Sequence, residues 1–142
     1  MKYFAVAVLA IFVILALCLG RPAFREETRI RNHADPIAEQ MLMALSQNDY
    51  QNFSLHFDEH MRNTVSEAEF DQFSQDITQS YGVYQSKSHF STTVYPQTSM
   101  VKYIAQFSNV SGGIDVTIEF SKTEGSDSVH GFSVVQAGWL TR

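Results

Sequence analysis

From Asp35 to Gly82 the apolar side chains of this chain recur every three or four residues; beyond Gly82 they recur every second residue, and no other feature restricts the fold as much. Upstream, Asp35-Pro36 predicts a helix start, Asp supplying the N-cap oxygen and Pro taking the first helical position, where its missing N–H is no loss. Ile37, Met41, Leu42 and Leu45 then line one face until Asn48-Asp49 ends the run. A second amphipathic segment, Tyr50 to Arg62, stacks Tyr50, Phe53, Phe57 and Met61 on one stripe. The third opens with the capping-box pattern Ser66-Glu67-Ala68-Glu69, carries Phe70, Phe73, Ile77 and Tyr81, and stops at Gly82.

Residues 83 to 95 are rich in Tyr, Val, Thr and Phe and are closed by Pro96, as a strand would be. Val101, Tyr103, Ala105 and Phe107 alternate with polar neighbours. After the turn Ser111-Gly112-Gly113, Ile114, Val116, Ile118 and Phe120 alternate with Asp115, Thr117, Glu119 and Ser121. "KTEGSDS" reads as a loop, and "VHGFSVVQAGWL" as a final strand ending near Trp139. Helices followed by antiparallel strands predict an α+β fold, three N-terminal helices covering one face of a curved four-stranded sheet.

The expected organisation is a signal or membrane anchor over residues 1–20, a charged tether or helical extension over 21–34, and a single α+β domain over 35–142. Phe4 to Leu19 are sixteen apolar residues, between the roughly 7 to 15 of a signal-peptide core and the roughly 20 of a spanning helix. The stretch is read as an uncleaved anchor, with a cleaved signal as the first alternative and lipidation at Cys18 as the second. Two sequons, at Asn52 and Asn109, agree with a domain outside the cytoplasm, membrane-anchored or secreted, whereas Arg21, Arg25, Arg29 and Arg31 after the apolar run pull against export.

Charge and cysteine usage exclude whole classes of function. The chain carries −5 overall, and from Asn32 onward five Lys/Arg face thirteen Asp/Glu, a field that repels nucleic acid. Cys18, the only cysteine, lies in the apolar leader, so the folded part has neither a disulfide nor a thiolate nucleophile or ligand.

A short helix with an apolar stripe, then "NDYQNFSLHFDEHM", "SEAEFDQFSQDITQSYG" and strands ending in "VHGFSVV" resemble, over residues 35 to 140, the secreted or lipoprotein-type domains of unknown function in the nuclear-transport-factor-2-like (cystatin-like, SnoaL-like) superfamily. The resemblance implies a cone-shaped α+β domain whose helices and sheet can enclose a pocket. It also implies a catalytic alternative: a ketosteroid-isomerase-like pocket needs a carboxylate base facing neutral donors, and Tyr81, Tyr84, Tyr103, Asp115, Glu119, His89 and His130 are the polar groups available.

Within "HFDEH" the spacing H-x-x-E-H matches an inverted zinc-peptidase signature. On a helix His56 and His60 would project from one side and could share a metal. The Phe53, Phe57 and Met61 stripe explains the same spacing without a metal, however, and no third ligand stands out. The histidines are therefore read as a rim pair, and no cofactor or catalytic residue is assigned. The function expected is non-catalytic binding of a small ligand or protein partner, with Phe53, Phe57, Phe73, Tyr81 and Tyr103 as pocket candidates and a dimerising structural module as a further alternative.

Overall fold

From Ile114 to Phe120 every second side chain is buried, Ile114, Val116, Ile118 and Phe120, which gives the sheet one face for a core and one for water. The computed structural model describes residues 22–123 and 126–136. Among them, helices α1 Pro22–Gln47, α2 Tyr50–Phe53, α3 Glu59–Thr64 and α4 Glu67–Tyr81 precede strands β1 Tyr84–Val94, β2 Thr98–Phe107, β3 Ile114–Thr123 and β4 Ser126–Gln136. The strands form an open antiparallel sheet in the order β1-β2-β3-β4. The fold is thus α+β, helices first and sheet second, as the change of period predicts.

The register places the core. Val101 lies opposite Ile118, Tyr103 opposite Val116, and Ala105 opposite Ile114, and all six are buried. Register shifts in β1, between Tyr84 and Ser86 and between His89 and Ser91, and in the β3–β4 pair at Glu119/Phe120 are the points at which the ladder departs from regularity, where bulged strands bend. The loop expected over "KTEGSDS" is mostly strand: pairing continues through Lys122↔Asp127 to Thr123↔Ser126. Trp139 and the apolar leader lie outside the described residues, among which no helix is long and apolar enough to cross a membrane.

The helix start expected at Asp35-Pro36 is overturned, because α1 begins at Pro22 and runs through Pro36 without a break. The buried stripe explains why: Ile30 and Ala34 continue the series Ile37, Ala38, Met41, Leu42 and Leu45 one and two turns towards the N-terminus, against the sheet. Pro36 is on the exposed face, as is Asn32, whose carbonyl loses its helical donor and can turn to water. Of the tether or helical extension expected over residues 21–34, the described residues 22–34 take the helical form and are the first half of α1. Asn48, at φ 54°, ends the helix in the left-handed region, and the Asp49 N–H bonds back to the Ala44 carbonyl at 2.9 Å.

α4 keeps its expected bounds. Ser66 and Glu69 form a complete capping box. Gly82 follows at φ 85°, where a side chain would be strained and where a Cβ would collide with Ser108 and Asn109. The middle segment differs from expectation. Tyr50 to Arg62 is not one helix but two short ones separated by residues 54–58.

Candidate functional site

The break between α2 and α3 builds the most distinctive site of the fold. Asp49 caps α2, accepting from the Asn52 backbone N–H at 3.1 Å and from Asn52 Nδ2 at 2.6 Å, and so brings Phe53 into the core. The chain then leaves the helix and lies beside β4. Val129 N–H donates to the His56 carbonyl at 2.8 Å, Asp58 N–H donates to the Val129 carbonyl at 2.9 Å, and Phe57 and Val129 form a parallel bridge. Asp58 next caps α3, its Oδ1 accepting from Met61 N–H at 2.9 Å while its Oδ2 sits 2.6 Å from His130 Nδ1. Tyr50 OH donates to the Val65 carbonyl at 2.7 Å and pins the far end of α3.

These constraints leave a cleft of about 270 Å³ between α2, α3, α4 and β4. Its walls are Phe53, Met61, Thr64, Val65, Glu69, Phe70, Phe73 and Phe132. Phe53, Phe70 and Met61 are buried at its floor, whereas Val65, Phe73 and Phe132 stay partly exposed around it. The rings meet at angles that aromatic quadrupoles favour: Phe53 and Phe132 edge to face at 5.2 Å, Phe73 and Phe132 likewise at 6.3 Å, and Phe53 tilted on Phe70 at 4.7 Å.

Of the pocket residues expected from sequence, Phe53 and Phe73 line this cleft. Phe57 is buried with its ring against Phe53 at 5.5 Å and packs behind the cleft. Tyr81 packs on Phe107, and Tyr103 is buried below the Lys87 ammonium, 4.8 Å from its ring centre. Phe70, an aromatic of the third helical stripe that the sequence also offers as a cavity wall, lines it too, whereas sequence reasoning did not assign Met61, Val65 and Phe132 to the pocket. The first two adjoin or belong to the helical apolar stripes, but nothing local brings Phe132 to them.

The histidine geometry behind the zinc idea is not present. His56 lies in the bridged segment beside β4 rather than on the helix that carries His60, so the two do not share a helical face. His60 instead stacks on His130, ring centres 4.9 Å apart. Among the described residues no three His, Cys, Asp or Glu side chains converge as metal ligands. Burial, and secondarily the nearby His33, push the His56 pKa down. Burial tends to raise the Asp58 pKa, but the cap bond from Met61 and the His130 contact outweigh it and hold the carboxyl below its usual range.

A second polar cluster lies between α1 and β1. Tyr84 OH donates to Glu39 Oε2 at 2.7 Å, and Lys87 Nζ stands 3.7 Å from Glu39 and 3.9 Å from Asp35. The Tyr103 hydroxyl is fully buried, and the Asp35 carboxylate stands near it, outside good hydrogen-bond geometry; burial, and then the interaction with that carboxylate, raise its pKa far above the tyrosine range. Asp115 and Glu119 lie on the sheet face turned away from the helices, where Asp115 and Tyr103 both line a second pocket of about 310 Å³ with Phe90, Lys102, Ile104, Thr117, Ser133 and Val135.

No protein-family model matches the chain, and no curated protein is similar to it in sequence. Solved structures do resemble it in shape. A DUF4783 family protein from Bacteroides uniformis is 12% identical, with a TM-score of 0.47 over 69% of this chain and 94% of that one. AclR from Streptomyces galilaeus is 11% identical, with a TM-score of 0.46 over 75% and 81% of the two chains. Bd1075 from Bdellovibrio bacteriovorus is 11% identical, with a TM-score of 0.48 over 75% of this chain and 40% of that one. Likenesses this distant transfer no activity and do not establish membership in the nuclear-transport-factor-2-like superfamily; the α+β architecture stands on the strands and helices themselves.

Proposed function

We propose that this is a non-catalytic binding domain whose ligand seats in the aromatic cleft, and that the apolar segment from Phe4 to Leu19 holds the domain at a membrane, on the side away from the cytoplasm. The cleft carries the reading. Elsewhere α1 packs on β1 and β2, and the Phe57 segment covers β4 at Val129, yet here Val65, Phe73 and Phe132 stand partly open to water above a buried floor of Phe53, Met61 and Phe70. Apolar surface arranged concavely and left in water is what a small apolar ligand displaces water from. At about 270 Å³ the cleft suits a single ring or a short chain, since a cavity of roughly 150 Å³ already accepts benzene.

The catalytic alternative would draw on the other cluster, where the buried Tyr103 hydroxyl and the Asp35 carboxylate near it are the donor and the acid available. That cluster includes none of the cleft's lining residues. The cleft reading is therefore tested on its own by filling it. Thr64→Trp should place an indole over Phe53 and Phe73, raise the melting temperature, and abolish the perturbation of the Met61 methyl signal by 3-phenylpropan-1-ol. Undiminished ligand perturbation in the folded variant would show that the apolar probe binds elsewhere.

A further inference from the structure

The charged groups around the cleft specify more than apolarity. Glu69 is the one ionisable residue among those lining it. Its Oε2 accepts from the Ser66 N–H at 2.8 Å and from Ser66 Oγ at 2.7 Å, so Oε1 has no hydrogen-bond partner among the described residues, and no basic side chain pairs with the carboxylate there. Bonding to Ser66 also holds the Glu69 pKa below its usual value, so the group is anionic at neutral pH. Phe73 lies one helical turn further on, at i+4, and is itself a wall of the cleft. Of the charged side chains on the two helices that wall it, α3 and α4, Glu59, Glu67, Glu69, Asp71 and Asp76 are acidic and only Arg62 is basic.

We infer that the ligand of this cleft is a cationic amphiphile, an aromatic or short aliphatic body with an ammonium head, the body seated among Phe53, Phe70, Phe73 and Phe132 and the head held at Glu69 beside the Phe73 ring. The inference rests on the cleft being the binding site. An ammonium at that rim meets an unpaired carboxylate and an aromatic ring, two attractions that each survive partial exposure. A carboxylate ligand would meet Glu69 as a like charge and would have only the exposed Arg62 to offset it.

Three probes of one shape separate the possibilities: 3-phenylpropylamine, 3-phenylpropan-1-ol and 3-phenylpropanoate, titrated against the full chain at neutral pH and read at the Met61 methyl. The amine should bind about three- to tenfold more tightly than the acid, with the alcohol between them, and added salt should shrink the spread. Glu69→Gln keeps a residue that completes the capping box, so the helix start survives while the charge is lost. In that variant the amine should fall to the level of the alcohol. Equal affinities for the three probes, preference for the acid, or an amine preference unchanged in Glu69→Gln would overturn the cationic assignment while leaving an apolar site. Failure of all three to bind would overturn the cleft reading itself, and the cationic assignment with it.

Discussion

Asp58 shows how much one short side chain can organise. Its backbone N–H joins the segment to β4, one carboxylate oxygen caps α3, and the other meets His130, 72 residues away in sequence. Removing it therefore releases both the start of a helix and its attachment to the sheet. Asp58→Ala should lower stability by about 1 to 2 kcal/mol, the usual cost of a lost N-cap. Asp58→Asn keeps a good capping oxygen and loses only the charge, so it should cost less. If urea unfolding gave the two variants the same loss, the cap would not be the main contribution and the His130 contact would be. Local pattern alone could suggest Asp58 as a cap, three residues ahead of Met61, but it could not supply His130. "HFDEH" has the spacing of a metal motif and the structure of a staple: His56 gives its carbonyl, Asp58 its cap, and His60 a ring for His130 to stack on.

The helices and strands differ in how far their own residues define them. α4 and β3 are specified locally, by the Ser66 and Glu69 box, by Gly82 at positive φ, and by strict alternation, and both are found where their sequence places them. α1 and the α2–α3 segment are not. Asp35-Pro36 has the chemistry of a helix start, yet the burial of Ile30 and Ala34 outweighs it, because a proline on the solvent face loses one hydrogen bond while two buried turns gain a sheet to pack on. Conversely, Tyr50, Phe53, Phe57 and Met61 keep helical spacing across a stretch that is not one helix, since two short helices and a bridge place the same side chains inward. α1 upstream of Asp35 therefore belongs to the folded unit, and Ile30, 1% exposed, measures how firmly. Ile30→Ala should cost about 2 to 5 kcal/mol, in the range of buried truncations, whereas the same change in a tether would cost almost nothing. Chemical denaturation of the variant decides between these, and a loss below about 0.5 kcal/mol, the range of a surface change, would return residues 22–34 to the role of a linker.

The cleft and the polar cluster both depend on residues the chain brings together only when the sheet has closed on the helices: Phe132 on β4 meets Phe53 and Phe73, and Tyr103 on β2 lies under Lys87 of β1 and near Asp35 of α1. Such pairings have no local pattern, which is why the fold could be read from spacing and most of the site could not. The same closure partly buries two histidines at different places, His56 and His89, and this makes the stability of the molecule depend on pH. His56 is held below its usual pKa by burial and then by His33; His89 is held down by burial and then by Arg31 and Lys87, with Asp35 opposing. Both are therefore easier to protonate in the unfolded chain, whose histidines titrate near 6.5. Their contribution is fully present above that value and is lost as pH falls through it towards the lower values of the folded state. Asp58, also lowered, adds a separate loss only below about pH 4, where the unfolded carboxylate begins to take up protons. The melting temperature should hold steady from pH 8 to 7 and then decline between pH 7 and 5, by on the order of 5 °C for each kcal/mol lost. A double variant, His56→Gln with His89→Gln, cannot take up these protons and should show a flattened profile across that window, while its further decline below pH 4 persists. Scanning calorimetry of both proteins at half-unit pH steps separates the two contributions; a wild-type profile already flat from pH 7 to 5, or one equally steep in the double variant, would mean that burial of these two rings does not set the pH dependence of the fold.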